Sequence, residues 1–466
     1  MEILKKSLNL YYSLKRILKF TAHESSSKSG ISDERYRRIL LTAGSSLIVK
    51  IVSVSINLIT VPLTLKYLGA ERYGLWMSIS SIMTLMAFAD LGLGNGLLNA
   101  VSRSKGLNEK ELAVEAVSST FYILLIISLV LFIFFLATYP YISWNSIFNV
   151  VDPIAKKEAG LTMFALIIPL LINMPLGIIQ RIQEGNQEGY KFQLYQIYGS
   201  IFSFIAILLC IKFQVGLPGL VLSYSAGAIL ASILNGYMIF NHDYKYLLPR
   251  IKYFKFNRSK TLFNTGLVFF VLNIFSLLSS TSDNIIIAHV IGATKIASFE
   301  IIKKIFLFSM LTQFLIQPLW PAFNEAMAKG DMVWVSKTLN KALKLSVGFG
   351  ALISLPLLIF GKQIISFWVG KEYEPSWLLL SGFYLFVFQA NYGGVMSTLL
   401  NSSKYINKQI LFVGLASTVS ILLKIILGRL IGVEGIIWGT LIAYAIFYVY
   451  PTWRIANGLI KEPSLK

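Results

Sequence analysis

Windows of about 20 apolar residues recur twelve times along the chain, the length a helix needs to cross a hydrocarbon core about 30 Å thick. They fall near residues 40–66, 74–98, 117–138, 160–182, 192–213, 217–240, 262–288, 296–323, 343–366, 376–401, 409–428 and 432–456. Inside a bilayer no water satisfies the backbone N–H and C=O groups, so segments this long and apolar must satisfy them internally, as helices. The expectation is an all-α polytopic membrane protein with about twelve transmembrane helices. Composition excludes a soluble globular domain: only 14% of the 466 residues are charged, against about 25% in such domains. Cys210 is the single cysteine, which rules out a disulfide framework, and His23, His242 and His289 are too scattered for a sequence-local metal site. No metal and no cofactor is expected.

Charge sets the orientation. Of the 42 Lys and Arg, four lie deep in spans (Lys50, Lys303, Lys304, Lys424); assigning the others to the nearer loop puts 29 on the N-terminal side and 9 opposite. The positive-inside rule then places both termini in the cytoplasm. The net charge of +20 concentrates in the N-terminal tail and in Lys245 to Lys260, where topology already calls for it, so no nucleic-acid partner is expected. Residues 1–38 form a basic cytoplasmic extension and not a signal peptide, because Lys5, Lys6, Lys15, Arg16 and Lys19 interrupt any apolar core. Between Ile3 and Phe20, Leu4, Leu8, Tyr11, Leu14 and Leu18 share a helical face, which suits a helix lying on anionic lipid; a basic disordered tail fits equally well. Thr21 to Glu34 reads as a linker.

The chain repeats itself. Leu68-Gly69-Ala70 aligns with Ile291-Gly292-Ala293, Val215-Gly216-Leu217-Pro218-Gly219-Leu220 with Ile431-Gly432-Val433-Glu434-Gly435-Ile436, and Gly177 with Gly394 at nearly the same offset. Duplication of six spans gives two bundles of like orientation, facing each other across a central space. The boundaries expected are 39–240 for the first six-helix bundle, 241–260 for a cytoplasmic basic linker, and 261–466 for the second bundle with a short tail.

Four motifs in order, Tyr67-Leu68-Gly69-Ala70-Glu71-Arg72-Tyr73-Gly74-Leu75, Asp90-Leu91-Gly92-Leu93-Gly94, Asp283-Asn284-Ile285-Ile286-Ile287 and Pro318-Leu319-Trp320-Pro321-Ala322-Phe323, resemble the bacterial polysaccharide flippases of the Wzx type. These belong to the MOP superfamily, with the MATE multidrug extruders and the lipid II flippases. The resemblance runs from about residue 40 to 456. It implies a V-shaped pair of six-helix bundles that flip an undecaprenyl-diphosphate-linked oligosaccharide, the O-antigen or capsule repeat unit, to the outer face. Lipid-linked oligosaccharide, membrane lipids and polysaccharide polymerase machinery are the partners implied. The basic extension and Phe299, where the family more often has Tyr, depart from the pattern and inherit no role.

Intramembrane cations are the candidate ligands, since a lysine at the bilayer centre costs about 2.5–3.5 kcal/mol unless it has water, a partner or a purpose. Ser46, Lys50, Ser53, Asn57, Thr60 and Thr64 fall on one helical stripe, either lining a wet cavity or joining helices with Lys50 paired to a buried acid. On the eighth span Lys303, Gln313 and Gln317 share a face, whereas Lys304 points away and is expected to pair with Glu300 at i,i+4. Lys424 either faces the cavity or snorkels to the nearby outer end. Lys50, Asn57, Lys303, Gln313, Gln317 and Lys424 are thus the expected substrate ligands. Asp283, aligned with Asn273, Ser276 and Ser280, is the expected ion carrier, since an acid in a low-dielectric cleft binds protons more readily. Asp90, on a small-residue face, reads as a structural cap or ion pair, and with Glu300 and Lys304 makes up the structural or gating set. Arg181 and Glu184 read as a solvated helix end, and Pro169 and Pro175 around Asn173 as a hinge or cation site.

Enzymatic readings fail. The only Gly-Lys pairs, Gly361-Lys362-Gln363 and Gly370-Lys371-Glu372, lack the Ser or Thr of a phosphate-binding loop, and the longest external loop, Tyr139 to Ala159, is short for a polytopic glycosyltransferase. A cation-coupled MATE-like drug antiporter is the alternative. It would favour acidic, aromatic cavities, whereas this midplane offers lysines to an anion.

Overall fold

A computed structural model describes residues 28–86, 90–148, 152–292, 294–307, 309, 312–368, 371, 374–402 and 405–461. The proposed surface helix in residues 3–20 lies outside them. The described residues are helical, with no strand among them, and divide into two compact units, Met1–Phe269 and Phe270–Lys466.

In the first unit, α1 (Lys28–Met86) breaks only at Gly69 (φ 75°, ψ 170°). It is followed by α2 (Leu93–Leu107), α3 (Lys110–Thr138), α4 (Pro153–Leu176), α5 (Ile178–Gly185), α6 (Gly189–Lys212) and α7 (Leu217–Met238). The described part of the expected linker, Lys28 to Glu34, is helical instead: Glu34 accepts from Arg37 (2.8 Å) and Arg38 (2.7 Å), the i+3 and i+4 pairs that hold a helix start. One apolar core gathers Leu75, Trp76, Ile79, Phe135, Met163 and Leu166; another gathers Leu97, Val117, Ile178 and Ile182. Helix α8 (Phe256–Ile286) runs across the unit boundary.

The second unit continues through α9 (Thr294–Leu307), a short turn Gln313–Ile316, α10 (Leu319–Ala328), α11 (Met332–Trp368), α12 (Trp377–Asn401), α13 (Ile406–Ile431), α14 (Glu434–Tyr444) and α15 (Tyr450–Lys461). Its core centres on Phe383, whose ring lies 5.3 Å from Phe299 and 5.6 Å from Phe306. The repeated glycines behave alike in both units. Gly69 and Gly292 have φ of 75° and 124°, and Gly216 and Gly432 have φ of 93° and 73°, left-handed values that disfavour any side chain.

Two of the twelve expected windows are broken apart, whereas 160–182 passes Gly177 in helical conformation (φ −57°, ψ −21°) and 432–456 joins α14 to α15 through a π-helical turn, Ala445–Val449. Window 74–98 is divided: α1 ends at Met86 and α2 begins only after Leu91 (φ 50°) and Gly92 (φ 74°). There the Asp90 carboxylate accepts from the amides of Gly92 (2.9 Å) and Gly94 (3.3 Å), the geometry of a helix cap. A Cβ on Gly92 would collide with the carbonyl oxygen of Gly266 on α8. Window 296–323 is divided as well, with α9 ending at Leu307 and α10 starting after Pro318. The offset that pairs Gly69 with Gly292 carries Asp90 onto Gln313, so the second crossing of each repeat is interrupted at the same place. Hydropathy counts side chains and does not see a capping carboxylate. Ten helices among the described residues remain long and apolar enough to span.

Candidate functional site

Four charged side chains meet inside the second unit. Asp283 projects from the end of α8, Glu300 and Lys303 from α9, and Lys424 from α13. The Lys424 ammonium lies 2.7 Å from Asp283 Oδ1 and donates to the Ser279 carbonyl (2.7 Å) and Ser282 Oγ (3.4 Å). Lys303 donates to the other carboxylate oxygen at 3.1 Å, stands 3.5 Å from Glu300, and rests over the Phe299 ring. Burial separates the two lysines. Lys424 is 1% exposed and the Lys303 side chain 25%.

That asymmetry has a chemical consequence. A buried ion pair broken by removal of one partner leaves an uncompensated charge, which destabilises by about 3–5 kcal/mol. Here Asp283 has two counter-charges, the half-buried Lys303 and the fully buried Lys424, so loss of the Lys303 contact alone leaves the carboxylate neutralised. Lys424 therefore does not snorkel and has no free face for a ligand, contrary to the expectation that it contacts substrate. Glu300 pairs with Lys303 at i,i+3; Lys304, expected as its partner, is exposed and outside the cluster. A lysine stem reaches a neighbour on either side of its ideal angle, and the break after Leu307 ends any common helical phase of Lys303 with Gln313 and Gln317.

Elsewhere on the same unit, Gln313 donates to the Ala390 carbonyl (3.3 Å), its amide filling the space a side chain at Gly394 would need, and Gln317 is exposed. Ser276 and Ser280, expected beside Asp283, bond carbonyls of their own helix. In the first unit, the stripe on α1 divides by depth. Thr60 and Thr64 are buried, bonded to carbonyls around Pro62, while Lys50 and Asn57 are exposed. Lys50 forms no ion pair among the described residues, so the reading in which a buried acid neutralises it falls. Arg181 pairs with Glu184 at 3.0 Å on a partly exposed helix end, and α4 runs through Pro169 with Asn173 accepting from Ser232 (3.4 Å).

Sequence reasoning missed three polar assemblies. At the interrupted crossing of the second unit, buried Asn391 accepts from Thr312 and Ser346 and donates to the Ser309 carbonyl. Asn391 inside an apolar window was the available signal. In the first unit Arg72 grips Glu158 through two hydrogen bonds (2.7 and 2.6 Å), and at the other end Arg38 reaches the Asn186 carbonyl (2.9 Å) and Glu188 (3.4 Å). Lys191 joins Glu188 to Asp243, and burial, then the Glu188 carboxylate, pushes the neighbouring Tyr244 hydroxyl well above the ordinary tyrosine range. The signal for this last assembly was the Gln183-to-Gly189 string between two spans. Among the described residues no group of three His, Cys, Asp or Glu is placed to hold a metal.

The sequence profile of the polysaccharide biosynthesis protein family matches residues 40–327. A Salmonella typhi protein provisionally named an O-antigen transporter is 22% identical over 446 residues, 91% of this chain and 98% of the relative. A Yersinia pseudotuberculosis protein provisionally named an O-antigen export protein is 26% identical over 335 residues, 69% and 72% of the two chains. Among solved structures, a MATE protein in a bent conformation is similar at a TM-score of 0.78 and 14% identity, covering 92% of this chain and 97% of that one. A MOP superfamily transporter from Pyrococcus furiosus, described by a binding pocket of reversed polarity, is similar at a TM-score of 0.75 and 14% identity over 91% and 96%. At such identities the structural likeness establishes the fold alone.

Proposed function

The chain belongs to the polysaccharide biosynthesis protein family, and from that premise we propose that it carries an undecaprenyl-diphosphate-linked oligosaccharide across the bacterial inner membrane. It is a transporter and not an enzyme. Both termini lie in the cytoplasm in this reading, residues 39–240 and 261–466 act as the two six-helix bundles with twelve crossings, and 241–260 links them, 1–38 being a basic extension. Polymerase machinery on the outer face would receive the product.

The observation that carries the reading is the pairing of an accessible lysine with a buried one on a single carboxylate, Lys303 and Lys424 on Asp283. A diphosphate can capture Lys303, and Asp283 then stays neutralised by Lys424, so the cluster reports substrate arrival without exposing a buried charge. Asp283 is the residue through which an ion or proton would couple. Lys50, exposed and without a partner acid among the described residues, supplies a second cation, and Asn57, two turns along the same face, a neutral donor. Outward movement of an anion gains about 2.3 kcal/mol per charge per 100 mV if the lysines stay behind. A drug antiporter for cations is disfavoured because the same lysines repel a cation.

The test is surface glycan, by immunoblot, in a strain lacking its own flippase. Lys303→Ala and Lys50→Ala should each lose export while the protein remains inserted. Wild-type protein that gives dye efflux and leaves lipid-linked glycan on the cytoplasmic face overturns the assignment in favour of the antiporter.

A further inference from the structure

Where α3 ends and α4 begins, a cleft of about 390 Å³ opens between the connecting segment and the first turns of α4. Tyr139, Ser143, Trp144 and Asn145 line one side, Lys156 and Lys157 the other. Its volume falls at the lower end of the range for small-molecule sites, about 300–1,000 Å³. We infer that this cleft is an acidic-saccharide site on the outer face of the protein. The inference rests on the reading above for its sidedness and for the supply of glycan.

Uncompensated positive charge is the first ground. Lys156 and Lys157 are exposed and form no ion pair among the described residues. The acids nearest in sequence are engaged elsewhere: Asp152 caps α4 through the Ala155 amide (2.8 Å), and Glu158 takes both hydrogen bonds from Arg72 and one from the Leu217 amide (3.2 Å). Two cations in the opening turns of a helix oppose its dipole, and on this side they also run against the cation bias that orients the chain. Neither placement helps folding or insertion. Both raise the potential felt by an anion.

The second ground is an unfilled donor. Trp144 Nε1 is buried with no acceptor among the described residues, a state that costs about 1–3 kcal/mol and that a small outward turn of the indole, bringing its N–H to a ligand oxygen in the cleft, would relieve. The Trp144 ring is held 5.8 Å from that of Tyr139, and both pack on Phe135. Gly160 admits them, since a Cβ there would come within 2.5 Å of the Tyr139 hydroxyl. A rigid aromatic wall suits the C–H face of a sugar ring, Ser143, Asn145 and the indole N–H suit its hydroxyls, and the lysine pair suits a carboxylate or phosphate substituent. A lipid phosphate would use the lysines and leave the indole donor empty, so a saccharide fits better.

The experiment uses the full chain in phosphatidylcholine nanodiscs, titrated calorimetrically with a hyaluronan tetrasaccharide and a trigalacturonate as acidic probes and chitotetraose as a neutral one. At least one acidic probe should bind, with chitotetraose about tenfold weaker. Lys156→Gln with Lys157→Gln should weaken acidic binding about tenfold or more and remove its salt dependence; Trp144→Phe, which keeps a ring and loses the N–H, should weaken it several-fold. The inference is overturned if neither acidic probe binds with a Kd below about 10 mM, if the lysine variants bind as wild type, or if phosphatidylglycerol in the nanodisc displaces the probe, which would make this a lipid site. Glycan export by the same variants is scored separately. Saccharide binding by a protein that exports no glycan refutes the transport reading and leaves this site standing, whereas export without binding refutes this site alone.

Discussion

Removing one charge from the Asp283 cluster should destabilise the protein more than removing two. At 2.7 Å and an effective dielectric of about 20, the attraction between Lys424 and Asp283 is about 6 kcal/mol, most of it offset by desolvation. Asp283→Asn strands Lys424, 1% exposed, with only the Ser279 carbonyl and the Ser282 hydroxyl as partners. It should fall at the upper end of the range for such lesions, about 5 kcal/mol. Lys424→Gln is milder, about 3 kcal/mol, because Lys303 still holds Asp283 at 3.1 Å. The double variant carries no buried lysine–aspartate charge at all and should lie within about 1 kcal/mol of wild type, giving a coupling of at least about 7 kcal/mol, the two single losses less the double. Lys303→Gln should change stability least of the three single variants, since its charge is the accessible one. The assay is unfolding of purified protein in mixed micelles by increasing dodecyl sulfate, followed by tryptophan fluorescence. Asp283→Asn as stable as wild type, or a double variant worse than Lys424→Gln alone, would refute the idea that Lys424 is a fixed counter-charge.

Four further outcomes follow from single residues. Lys50→Ala should abolish export and change stability by less than about 0.5 kcal/mol, with Lys50→Arg retaining part of the activity and Lys50→Glu none, read by surface-glycan immunoblot and by the same unfolding assay. Gly92→Ala should be strongly destabilising, because its Cβ meets the Gly266 carbonyl and its φ is 74°, while Gly44→Ala, with nothing within 4 Å, should be neutral or slightly stabilising; equal unfolding midpoints would disprove the close approach. Asn391→Ala should cost about 2 kcal/mol by leaving Thr312 without its acceptor and the Ser309 carbonyl without its donor, Ser346 keeping the carbonyl of residue 391, measured as a lower unfolding midpoint. In a Cys210→Ser background, single cysteines at Ser32 and Lys255 should resist an impermeant thiol reagent in whole cells and one at Asn145 should react; the reverse pattern would invert the topology.

What the sequence made legible is what a single helix can encode. Span length, the duplication and the special backbone at Gly69, Gly292, Gly216 and Gly432 are all local, because a left-handed residue is specified by its own missing side chain. The division of windows 74–98 and 296–323 was half legible. Asp90-Leu91-Gly92 and Gln317-Pro318 stand in the sequence, but apolar neighbours mask them in any hydropathy sum. The cluster was legible residue by residue and not as a cluster: Asp283, Lys303 and Lys424 each stood out as a charge in an apolar span, yet helical phase gives the face and not the neighbour across it. Lys424 shows the limit. About two turns from the end of α13, its side chain can reach toward either water or a carboxylate, and the same sequence serves both; only the arrival of α8 beside α13 decides. Because that decision leaves Asp283 doubly neutralised, the half-buried Lys303 beside it becomes dispensable to the fold. On the transport reading, a lysine dispensable to the fold is the one free to pair with a passing anion.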